Sequence, residues 1–211
     1  MAPREDRRRQ ILAVVLDILR EGGASAVTTA RIAARARCSK ETLYNWFGDR
    51  DGIFRALVEA QSAQLNAMMA RELAENADNT TVMVRAGAAL LDLLTGEASL
   101  AINRSAMADG SGELGELLLQ HGRGRTAPQM AGLITRLQAD GKMGDGDPAE
   151  IFQSFYGLLI GDRQVRALLG DKTGRPRPGE FETLSRLAFD RTRKLFPAVA
   201  GATRPAAVSA A

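Results

Sequence analysis

Residues 27–54 read VTTARIAARARCSKETLYNWFGDRDGIF, and the phase of the apolar positions within them decides the fold. Thr28 offers an N-cap oxygen to a short helix carrying Ile32, Ala33 and Ala36, which ends near Arg37 and Cys38. Ser39 is placed to cap a second short helix with Glu41 in its first turn, and Leu43 and Phe47 fall one turn apart on one face. A turn at Gly48 and Asp49 follows. Upstream, Ile11, Val14, Val15, Ile18 and Leu19 repeat with helical spacing, an amphipathic helix that EGGAS at 21–25 terminates. Two short helices joined by a turn, behind a longer one that buries their inner faces, make a helix-turn-helix unit.

With Leu43 and Phe47 inward, Glu41, Thr42 and Asn45 point outward, flanked by Tyr44 and Trp46. A face carrying a short amide, a hydroxyl and aromatic polar tips, near Lys40 and Arg50, suits a DNA major groove lined by phosphate. The charge distribution points the same way. The chain has net charge +3, yet residues 1–50 hold ten Lys or Arg against six Asp or Glu. A basic excess confined to the N-terminal part implies a polyanion for that part and another role for the rest.

The 211 residues, 45% of them hydrophobic, suffice for one sizeable core or two modest ones sharing a helix. Ala, Leu, Arg and Glu dominate while β-branched and aromatic runs are few, so the expected class is all-α. The single cysteine, Cys38, excludes an intrachain disulfide and a thiolate-rich metal site and suits a reducing compartment, so the cytoplasm is expected. No apolar run approaches the roughly 20 residues needed to span a bilayer. MAPREDRRRQ is followed by a segment interrupted by Asp17 and Arg20, so neither signal peptide nor membrane anchor is expected.

Residues 27–54 resemble the DNA-binding signature of the tetracycline-repressor (TetR) family of bacterial transcriptional regulators. The resemblance is carried by Ile32 and Ala33, by the Ser39–Lys40 opening of the recognition helix, by Thr42–Tyr44, by the aromatic Phe47 and by basic Arg50 opening a fourth helix. It covers roughly residues 7–60. It implies that Lys40, Thr42, Asn45 and Trp46 face operator bases and nearby phosphates, that Tyr44 meets phosphate, and that Thr28 and Arg50 hold backbone phosphate at helix N-termini. Two positions depart from the family pattern: Arg37 stands where glycine is common in the turn, and Glu41 puts negative charge near phosphate.

Beyond residue 50 an apolar-patterned run to about Glu75 reads as a long connecting helix. Further helices are expected near 80–94, 98–108, 113–121, 125–140, 147–169 and 180–196, with a mobile loop at 171–179. The best-marked start is DPAE at 147–150, with Asp147 as N-cap, Pro148 in the first helical position and Glu150 third. The expected organisation is a helix-turn-helix domain at 1–50, a helical ligand-sensing and dimerisation domain at 51–197 and a disordered tail at 198–211. The amphipathic runs 151–170 and 181–196 are expected to pair with their copies in a homodimer. Met83, Leu90, Met107, Met130, Phe155 and Tyr156 exceed what a tight helical core needs and are expected to line a mainly apolar cavity for an unidentified small-molecule effector.

Signals for an enzyme are weak. Gly122, Gly124 and Ala127 match GxGxxA, but ELLLQH precedes them where a dinucleotide site needs a strand, and a helix break is the simpler reading. GDGD at 144–147 lacks the alternating ligands of a calcium loop. His121 is the only histidine, and it reads as helix-end capping or core packing. Cys38 reads as a small buried hydrophobe. No catalytic residue, metal or cofactor is expected. The reading is a ligand-released repressor that binds operator DNA, with a helical scaffold as the alternative.

Overall fold

The computed structural model describes residues 3–75 and 77–198, and among them every regular element is helical. The expected tail falls outside these residues except for Ala198. Helix α1 (Pro3–Ala26) is kinked at Gly23, where φ is 69°. Helices α2 (Thr29–Ala36), α3 (Lys40–Phe47) and α4 (Arg50–Ala74) follow. Each of these three is capped by the residue before it: the side chains of Thr28, Ser39 and Asp49 accept the backbone N–H of Arg31, Thr42 and Gly52.

Helix α4 has 25 residues, about 37 Å of continuous rod. The C-terminal part continues with α5 (Asn79–Thr95), α6 (Glu97–Ala108), α7 (Glu113–Leu118), α8 (Gly124–Ala139), α9 (Pro148–Ile160), α10 (Arg163–Leu168) and α11 (Glu180–Leu195). Asp147 caps α9 by accepting from Ala149 N–H at 3.2 Å, with Pro148 in the first turn.

Three expectations are corrected. The single helix expected over 147–169 is two, because Gly161 adopts φ 50° and turns the chain between α9 and α10. No break occurs at Gly122–Gly124: a π turn, Leu119–Arg123, joins α7 to α8 without interruption. The segment 171–179 is not free. Asp171 caps a short 3₁₀ turn at Lys172–Gly174 and binds Arg166 at 2.8 Å, Arg175 binds Asp92 at 2.5 Å, and Arg177 binds Glu180 at 2.6 Å. Hydrogen bonds from Thr173, and the Arg166 guanidinium, hold the Asp171 carboxyl down to about 2.

Two hydrophobic clusters fill the molecule. One joins α5, α8, α9 and α11 around Met83, Leu91, Leu133, Phe155 and Phe189. The other joins α1, α2 and α3 around Ile11, Ile18, Ile32 and Leu43, and it does not stop at residue 50. It takes Ile53, Phe54, Leu57 and Val58 from α4, Ile102 from α6 and Leu114 from α7. Helix α4 therefore belongs to both halves.

Candidate DNA-binding face and ligand cavity

The turn between α2 and α3 is built around Arg37, which adopts a left-handed φ of 50° and ψ of 54°. This is the conformation that usually selects glycine. The carbonyls of Ala36 and Arg37 both accept from the guanidinium of Arg7 on α1, so α1 clamps the strained turn. Arg7 was missed in the sequence, although it lies one turn before Ile11 on the same helix stripe. Glu21 of α1 holds α2 through Arg31 at 3.0 Å and Arg35 at 2.6 Å. The hydrogen bond from Arg35 is the main reason the Glu21 carboxyl lies below its ordinary range.

On α3, Leu43 and Phe47 are buried while Lys40, Glu41, Tyr44 and Asn45 are exposed. Tyr44 is 54% exposed, an aromatic ring kept in water. Thr42 is half-buried and its hydroxyl shares a 2.9 Å hydrogen bond with that of Ser39. Trp46 is also half-buried, set against the N-terminal cluster with the Arg4 guanidinium 5.7 Å from its ring centroid. Arg8 lies 5.3 Å from the ring of Phe47. Arg4 and Arg8 thus extend the cationic edge of α3, and the run MAPREDRRRQ was the signal for them.

Arg50 was expected to serve phosphate alone, and the structure gives it a second task. It donates to the carbonyls of Ala24 at 2.8 Å and Val27 at 3.3 Å and lies 4.9 Å from the Phe54 ring. It ties the α1–α2 corner to the start of α4. Gly52 marks the tightest approach in this region: a Cβ there would lie 1.7 Å from the carbonyl oxygen of Phe47. Cys38 is half-buried against the same cluster.

In the C-terminal part a cavity of about 490 Å³ opens between α4, α5, α6, the π turn and α9. Of the six residues singled out in the sequence, Leu90, Met107 and Tyr156 line it; Met83, Met130 and Phe155 do not, being fully buried in the C-terminal cluster. Met83 shares a stripe with Leu90 but lies about 10 Å farther along α5, and Phe155 is turned toward Gly87, where a Cβ would meet its ring at 2.6 Å. The sequence did not mark Gln61, Asn103, Arg123 and Gln164, which with Ser62 and Ser99 supply polar groups to the mainly apolar wall. Burial raises the Tyr156 phenol above its ordinary value while Arg123 lowers it, so it stays protonated at neutral pH.

The π turn carries the cavity wall to α4. The N–H of Gly124 donates to the carbonyl of Leu119, five residues back, and Gly122 sits against Val58 of α4. His121 Nδ1 and an Arg125 nitrogen each lie 3.2 Å from the same carboxylate oxygen of Glu59 on α4. The two glycines of the GxGxxA match therefore shape a helix junction. Among the described residues no three His, Cys, Asp or Glu side chains converge as a metal site, and no helix is long and apolar enough to cross a membrane.

Comparison with known proteins covers both parts. The family described as bacterial regulatory proteins, tetR family, matches residues 11–57, and the AefR-like transcriptional repressor C-terminal domain matches residues 81–185. The HTH-type transcriptional regulator BetI of Burkholderia thailandensis is 35% identical over 83 residues, which is 39% of this chain and only 43% of that protein. Among solved structures, a TetR transcriptional regulator from Agrobacterium tumefaciens is 33% identical, covers 93% of this chain and 95% of its own, and superposes with a TM-score of 0.72. FadR from Bacillus subtilis, solved in complex with stearoyl-CoA, is 16% identical over 87% of this chain and 96% of its own, with a TM-score of 0.66, and shows the shared fold alone.

Proposed function

The chain belongs to the TetR family of bacterial transcriptional regulators, and from that premise we propose that it represses transcription by binding an operator and is released by a small apolar or amphipathic molecule. Lys40, Tyr44 and Asn45, exposed on α3, are the groups that read bases and adjacent phosphates, with Thr42 and Trp46 beside them. Thr28 and Arg50, at the N-termini of α2 and α4, meet backbone phosphate. In a homodimer two α3 helices would lie about 34 Å apart, matching one turn of DNA.

The observation that carries the release mechanism is shared packing. Val58 of α4 and Ile102 of α6 belong to the N-terminal hydrophobic cluster and also line the cavity. A ligand that favours a different setting of α4 therefore acts on the seat of the recognition helix without an intermediary. It changes DNA affinity only by its differential affinity for the two settings.

Nuclease footprinting on DNA upstream of the protein's own gene tests the DNA half. The expected result is a protected region with two related half-sites, and protection of no sequence above random DNA would overturn it. The ligand half is tested by screening apolar small molecules for loss of that footprint.

A further inference from the structure

We infer that the effector is an amphipath with a single oxyanion, of the form of a medium-chain carboxylate, whose apolar body fills the cavity and whose head rests on Arg123. This rests on the ligand-sensing reading above and names the chemical class that the site would take. The walls are mainly apolar, with Val58, Leu93, Ile102 and Phe152 among them, and the polar side chains on them other than Arg123 are uncharged. A volume of about 490 Å³ suits one small molecule.

Among the described lining residues Arg123 alone is charged, and no carboxylate lines the cavity. A cationic ligand would find no counter-charge there and would face the guanidinium. The neighbouring cations are occupied, since His121 and Arg125 share Glu59. Arg123 makes no ion pair among the described residues; its contact is the Tyr156 ring, 5.3 Å away. Its side chain therefore remains open to an anionic partner.

Position favours an anion at this point. Arg123 is exposed, and the rim beside it carries Met107 and Leu119, 74% and 65% exposed. A head group at the rim keeps part of its hydration, which removes most of the desolvation cost that a fully buried carboxylate would carry. The neutral Tyr156 hydroxyl on the same cavity wall is a further donor. Because Arg123 belongs to the π turn whose His121 grips α4, movement of Arg123 toward a head group pulls on the element that links cavity and recognition helix.

The test titrates the full-length protein with decanoate, decanol and decylamine by calorimetry, with Arg123→Gln and Arg123→Lys in parallel. Decanoate is expected to bind about tenfold or more tightly than decanol, with decylamine weakest. Arg123→Gln should erase that preference while decanol affinity moves little, and Arg123→Lys should keep part of it. Equal binding of decanoate and decanol to the wild type, or a preference that survives in Arg123→Gln, would overturn the assignment while leaving the cavity a ligand site. Binding by none of the three would overturn it together with the ligand-sensing reading. The wild-type series decides the question even if a variant fails to fold.

Discussion

At the scale of single residues, Asn45 and Arg50 separate two kinds of DNA contact. Asn45 is exposed on α3, and its amide is able to pair bidentately with adenine. Asn45→Ala should cost about 1–3 kcal/mol on operator and little on random DNA, as read by fluorescence anisotropy with both duplexes. Arg50→Ala should weaken both duplexes alike and lower the salt-dependence slope by roughly one unit. Since Arg50 also donates to the carbonyls of Ala24 and Val27, the same variant should lose stability. Its exposure limits that loss to about 1 kcal/mol, measurable by urea unfolding. A specificity loss in Arg50→Ala, with none in Asn45→Ala, would mean that α3 docks in another orientation.

At the scale of elements, two junctions make separate predictions. Asp78 caps α5 by accepting from Thr81 N–H at 2.9 Å and pairs with Lys142 of the α8–α9 connection. The Lys142 hydrogen bond is the largest cause that takes its carboxyl down to about 2. Because this lies below the unfolded value, the stabilisation is complete above about pH 5 and is lost as pH falls toward 2. Asp78→Ala should cost about 0.5–2 kcal/mol at neutral pH through the lost cap, and the gap to the wild type should close in that acid window. Gly87 of α5 is the second junction, where a Cβ would lie 2.2 Å from Ser185 Oγ of α11 and 2.6 Å from the Phe155 ring of α9. Gly87→Ala should therefore lower stability by about 1–3 kcal/mol, even though alanine favours helix; a rise in melting temperature would show that the three-helix contact is loose.

The same elements show which signals a sequence carries. Thr28, Ser39 and Asp147 announce their helices because capping chemistry is local, and Leu43 and Phe47 fix the phase of α3 within one turn. Local signals do not locate the π turn or the bend at Gly161, which depend on contacts between distant segments such as Gly122 against Val58. Composition marks Met83, Met130 and Phe155 as candidates for a cavity, but only the packing of α5 against α9 and α11 decides which apolar side chains meet one another. Arg7 and Arg123 were equally hidden: the role of each is set by a turn or a cavity assembled from remote parts of the chain.

At the scale of the whole molecule, α9 and α11 pack together and against α5, yet α11 leaves Leu187 and Leu195 44% and 62% exposed. Pairing of these helices across a two-fold axis would cover them in an interface of about 1,500 Å² or more. Light scattering should report a homodimer at micromolar concentration, and Leu187→Arg should shift it toward monomer with loss of operator binding. A wild-type monomer that still protects two half-sites would contradict this arrangement. The central claim is that one rod, α4, joins operator and effector. It is tested most directly by measuring operator affinity with and without a cavity ligand, and ligand affinity with and without operator. Each should weaken the other by the same factor, in the range of about 5–150-fold; a ligand that occupies the cavity and leaves operator affinity unchanged would contradict it.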